Sequence, residues 1–134
     1  MGIRIAYIRP MNNKQVLIID EYGFSRICSA ILSSEGYEVT NCTVSDLRGP
    51  CNIKDFGLIV TSYPYGTPVF NDIGKRHIPI LILSDNIDDN LIRILKTFDS
   101  SYCMIKPLDY EKFKSLVKEV LSSEVSLQEG YNIV

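Results

Sequence analysis

What the chain has little of narrows its function before any motif is read. It holds one histidine, His77, and four cysteines, Cys28, Cys42, Cys51 and Cys103, at irregular spacings with no Cys-x-x-Cys pair. That argues against a Cys/His zinc site and reads as reduced thiols packed as small apolar residues. No basic run is longer than Lys75-Arg76 and the formal net charge is −2, so the usual electrostatic drive for binding nucleic acid is missing. No apolar run approaches a membrane span, and the N-terminus lacks the apolar core of a signal peptide, so a cytoplasmic protein without membrane partners is expected. The glycine patterns that cradle phosphates and the Gly-x-Ser-x-Gly nucleophile turn are absent too, which leaves an enzyme reading without its motifs.

What is present is one domain's worth of alternating pattern. The 134 residues can bury a single core, and their 46% apolar and 22% charged content is that of a globular domain. Val16-Leu17-Ile18-Ile19 is a continuous apolar run, as a strand covered on both faces requires. Phe24, Ile27, Cys28, Ile31 and Leu32 then recur at helical spacing, and Glu35-Gly36 offers a left-handed helix stop. Further strands are predicted at Tyr37 to Thr40, Leu58 to Val60, Ile78 to Leu83 and Tyr102 to Ile105. Helices are predicted between them. One turn follows Ser45, one helix opens at Thr67-Pro68, one is capped by Asp85 or Asn86, and one is capped by Asp109.

This alternation predicts an α/β fold: a doubly wound, five-stranded parallel sheet with helices on both faces. The domain is expected over residues 14–122, after an extension at 1–13 and before a tail at 123–134 that has no clear period and frays or wraps the surface. Residues 1–10 read as an upstream extension, or as an added edge strand through alternating Ile3, Ile5 and Tyr7. Ligands of such sheets gather at the carboxyl ends of the strands. There the first strand delivers Asp20 and Glu21, the third Thr61 and Ser62, the fourth Ser84 and the fifth Lys106-Pro107.

In order and spacing these pieces resemble the response-regulator receiver domain of two-component signalling, a flavodoxin-like fold with strand order 2-1-3-4-5. "KQVLIIDEYGFSRICSAILSSEGYEVT" looks like the family's opening, "HIPILILS" like its fourth strand and "YCMIKPLD" like its fifth. The resemblance implies that Asp20 and Glu21 are Mg²⁺-binding acids, Ser84 the switch hydroxyl, Lys106 the phosphoryl-binding cation, and Lys106-Pro107 a peptide that is often cis. It also implies a contact or dimerisation face near Leu91, Tyr102, Cys103 and Pro107.

One element is missing. The family's third strand ends in the aspartate that becomes the acyl phosphate; here that position aligns with Thr61, with Val60 or Ser62 one place to either side, and residues 58–71 contain no acid. An aspartyl phosphate cannot form there, and a protonated hydroxyl needs a neighbouring base to act as a nucleophile. One metal ligand is lost with it, so Mg²⁺ is expected to bind weakly or not at all, and Asp85, on a neighbouring strand position, points away or caps the next helix. The family's aromatic switch position holds Cys103. The sequence thus predicts a pseudo-receiver: a non-enzymatic, stand-alone module that needs no cofactor and acts on a sensor kinase, an output protein or a second copy. The alternative is a small-ligand binder or enzyme on the same frame. Phosphorylation of Thr61 or Ser62 by a separate kinase has only the hydroxyls in its favour.

Overall fold

The computed structural model describes residues 14–48, 56–122 and 130–134. The extension at 1–13 lies outside the described residues, as does the first part of the tail, 123–129. Six strands form one sheet: β1 (Gln15–Ile19), β2 (Glu38–Cys42), β3 (Leu58–Tyr63), β4 (Ile80–Ser84), β5 (Ser100–Ile105) and β6 (Gly130–Ile133). Their order is β2-β1-β3-β4-β5-β6, and every neighbouring pair is parallel. Four α-helices cross between them among the described residues: α1 (Tyr22–Ser34), α2 (Thr67–Gly74), α3 (Asp89–Leu95) and α4 (Tyr110–Ser122). Between β2 and β3 the described chain holds only a 3-10 turn, Ser45–Arg48.

The core sits in two layers because alternate strand residues face opposite sides of the sheet. Val16, Ile18, Leu58, Val60, Leu81, Leu83 and Met104 pack with Cys28 and Leu32 of α1 and with Phe113, Val117 and Val120 of α4. Leu17, Ile19, Ile59, Ile80, Ile82 and Cys103 pack on the other side with Phe70 and Ile73 of α2 and with Leu91 and Leu95 of α3. Phe70 meets Phe98 edge to face at 6.1 Å there, a favoured aromatic geometry. The full burial of residues 16–19 of β1 and of β4 on both faces is why they carry unbroken apolar runs.

Helix ends follow local chemistry. Gly36 takes φ +92° after α1, and the Gly36 and Tyr37 amides donate to the Ser33 and Leu32 carbonyls, closing the last turn. The cap of α3 is Asp88 rather than Asp85 or Asn86, its Oδ1 accepting from the Leu91 amide at 2.7 Å. The loop after β4 uses up the three earlier residues, so the helix starts later than the acid-rich stretch alone suggests. Asp109 accepts from the Glu111 and Lys112 amides, both at 3.1 Å, and so opens α4.

The expected five strands are six. The end of the predicted tail pairs with β5 in register, Tyr131 beside Ser101 and Ile133 beside Cys103. Backbone bonds at its two ends, from the Gly130 amide to the Asp99 carbonyl and from the Val134 amide to the Cys103 carbonyl, hold it. A four-residue edge strand with one lightly covered face has no strong period, so its pairing is set by the neighbouring strand rather than by its own pattern.

Candidate functional site

The candidate site is the rim formed where β1, β3, β4 and β5 end. The β1–β3 register sets Ile19 beside Thr61, so the next pair along is Asp20 and Ser62. Both are nearly closed to solvent, at 3% and 4% exposure. The Ser62 hydroxyl donates to Asp20 Oδ2 in a short hydrogen bond. The other carboxylate oxygen, Oδ1, accepts from the Glu21 amide at 2.7 Å. Both oxygens of a buried acid therefore have donors, as burial of a charge demands. Glu21 itself is exposed.

The alignment puts Thr61 at the acceptor position with Ser62 one place away, and the pleat separates them. Thr61 is fully buried on the α2 side, where its Oγ1 donates to the Ile19 carbonyl at 2.7 Å. It staples β3 to β1 and does not face the acids. Gly66 explains the tight turn that follows: a Cβ there would lie 2.3 Å from Thr61 Oγ1 and 3.0 Å from the Ser62 carbonyl oxygen. Ser62 is the residue that meets Asp20.

Lys106 and Ser84 make their own contacts at the same rim. Lys106 continues the face of β5 that carries Tyr102 and Met104, the face shared with Asp20 and Ser62. Its Nζ sits 4.5 Å above the Phe24 ring of α1, a cation–π contact. Ser84 continues the opposite face, and its hydroxyl donates to the Asn86 carbonyl at 2.6 Å, fastening the strand to its own loop. The Lys106–Pro107 peptide is cis, as is Tyr63–Pro64.

Sequence reasoning missed three participants. Phe24 carries the lysine, although its helical spacing marked it only as core. Tyr63 ties the β3–α2 turn to the start of α3, its hydroxyl oxygen accepting from Asn90 Nδ2 at 2.8 Å. Cys28 of α1 lies beneath the rim; burial, with Asp20 adding and Lys106 opposing, pushes its thiol up to about 12. That fully buried thiol is a packed apolar group, not a nucleophile.

Asp20 and Glu21 are the two carboxylates of the rim, the third strand adds a hydroxyl already donated to Asp20, and among the described residues no three of His, Cys, Asp and Glu converge. Mg²⁺ is held through carboxylates, and the one facing inward here is bonded twice. The expected contact face also changes. Leu91, Tyr102 and Cys103 are buried under the helix layers, with β6 along the edge of β5, so they are not surface contacts. Of the four residues only Pro107 is exposed. His77 lies before β4 at the far end of the sheet, its Nδ1 paired with the Asp99 carboxylate.

No family model matches the chain, and no curated protein matches it. Solved structures do. A two-component response regulator from Clostridium difficile superposes with a TM-score of 0.68 at 19% identity, over 84% of this chain and 99% of that one. The non-phosphorylated HemR receiver domain from Leptospira biflexa gives 0.68 at 19% identity, over 85% and 98%. A CheY-like response regulator from Mesorhizobium loti gives 0.64 at 22% identity, over 80% and 98%. The chain has the receiver-domain fold. At such identities a receiver likeness speaks for the architecture, and the rim residues must speak for function. Among the described residues no helix is long and apolar enough to cross a membrane.

Proposed function

We propose that this chain is a receiver-type module of two-component signalling that works by protein–protein contact, without an aspartyl phosphate. The observation that carries the reading is Ser62: it stands against Asp20 at the end of β3, where the resembled family needs its acceptor carboxylate, and its hydroxyl donates to the acid. An alcohol there forms no acyl phosphate, and the loss of one carboxylate leaves Mg²⁺ weakly held. The signal then passes through surface contacts with a sensor kinase, an output protein or a second copy. Ile105, Pro107 and Tyr110, exposed near the β5–α4 junction, are the side chains offered on the expected face. The module is not an enzyme in this reading.

The same contact favours a second reading, in which Ser62 is a nucleophile and Asp20 its base. Against it, Asp20 is also held by the Glu21 amide and both side chains are nearly closed to solvent. Intact mass after incubation with Mg²⁺ and acetyl phosphate separates the two. The expected result is no adduct on the natural chain and a hydroxylamine-labile adduct on Ser62→Asp. A hydroxylamine-labile adduct on the natural chain overturns the proposal, and a hydroxylamine-stable phosphoserine at Ser62 establishes the nucleophile reading instead.

A further inference from the structure

The two edges of the sheet are treated differently. At the β2 edge, Glu38 is exposed and its carboxylate accepts from Gln15 Nε2 at 3.3 Å, so a charge guards that strand. At the β6 edge, residues 130–134, Gly-Tyr-Asn-Ile-Val, contain no charged side chain and no proline. The outer side of β6 has no strand partner among the described residues.

The backbone bonds say which groups are offered there. The Gly130 and Val134 amides point inward to β5, so by alternation those of Tyr131 and Ile133 point outward, with their carbonyls. Tyr131 at 38% and Ile133 at 48% are among the most exposed large apolar residues, and they share the α3 face of the sheet with Ile105 at 36%. α3 leaves these three side chains exposed. Between them Asn132 faces the other side, and its Nδ2 is buried without a hydrogen-bond partner in the structure.

We infer that β6 pairs antiparallel with β6 of a second copy about a two-fold axis at Asn132, joining two six-stranded sheets into one. The strand is self-complementary in that register. Tyr131 lies opposite Ile133 of the partner and the reverse holds, giving two aromatic–β-branched pairs of the kind that stabilises sheets. The outward amides and carbonyls of Tyr131 and Ile133 then exchange bonds in both pairs, while the two Asn132 amides meet at the close, non-bonded position. No like charges face each other, as they would in an edge-to-edge pairing of β2 through Glu38. A two-fold contact uses the same patch twice and closes, so the pairing stops at a dimer. This inference is independent of the reading of Ser62.

Sedimentation velocity on the full chain over a range of loadings tests it. The natural chain is expected to dimerise. Tyr131→Lys with Ile133→Lys, and Tyr131→Glu with Ile133→Glu, each lose the dimer at loadings where the natural chain holds it. An equal mixture of these two double variants regains it, because lysine then lies opposite glutamate; unfolded or detached strands give no such rescue. Thr40→Lys on β2 leaves the dimer intact. A natural chain that stays monomeric at every loading overturns the inference and leaves the edge to a strand from another partner. A dimer that survives in both double variants, or one abolished by Thr40→Lys, overturns it as well.

Discussion

At the residue scale the Ser62–Asp20 contact is part of what keeps the rim folded. Replacing Ser62 with alanine removes a donor from a buried carboxylate. Ser62→Ala is therefore expected to destabilise the fold by about 1–3 kcal/mol, read from the denaturant midpoint. A neutral effect would mean that Asp20 is solvated in solution. Cys28 gives a pH-dependent counterpart. Its folded pKa is raised from 9.0 to about 12, chiefly by burial, so the folded state disfavours the thiolate. The sign follows: the thiol's contribution to stability is whole below pH 9 and is lost as pH rises from there towards 12. At neutral pH the native chain should leave Cys28 unlabelled by iodoacetamide while the unfolded chain labels it fully. Rapid native labelling would show that α1 opens from the sheet.

At the element scale the β3–α2 turn is the tightest joint near the site. Gly66 has an ordinary φ of −81°, so its role is space and not backbone freedom. A methyl group there collides with Thr61 Oγ1 at 2.3 Å, and the Ser62 carbonyl and Phe70 ring close the other sides. Gly66→Ala should cost about 1–3 kcal/mol through overpacking. Adding Thr61→Ala removes the atom in the way, so the pair should be less destabilising than the sum of the two singles. Additive losses in a double-mutant cycle would place the strain elsewhere. The joint matters because Thr61, Ser62 and Tyr63 leave one strand in three directions: to β1, to Asp20 and to the start of α3.

At the scale of the whole molecule, β6 completes the sheet beyond β5. It shields the edge of β5, where Cys103 is fully buried and its thiol is pushed up by that burial. Deleting residues 130–134 should lower the thermal midpoint and raise the native alkylation rate of Cys103 several-fold, because β5 becomes an edge that opens locally. If Cys103 stays as protected as in the full chain, β6 contributes nothing to the seating of β5.

Much of this was legible in the residues and some was not, for physical reasons. Buried strands must be apolar throughout and amphipathic helices must repeat at helical spacing, so β1, β4, α1 and α4 could be read within a residue or two, with the Asp109 cap and the Gly36 stop. The absence of any acid along 58–71 is likewise a property of the chain alone. Which of two adjacent hydroxyls faces Asp20 was not, because a one-residue shift reverses the face of a strand and only the β1–β3 register decides it. Nor could spacing show that Lys106 rests on Phe24, that Leu91, Tyr102 and Cys103 are covered, or that the tail ends in a strand. Those depend on what packs against what, and the order of residues along the chain determines the elements but leaves their neighbours to the tertiary structure.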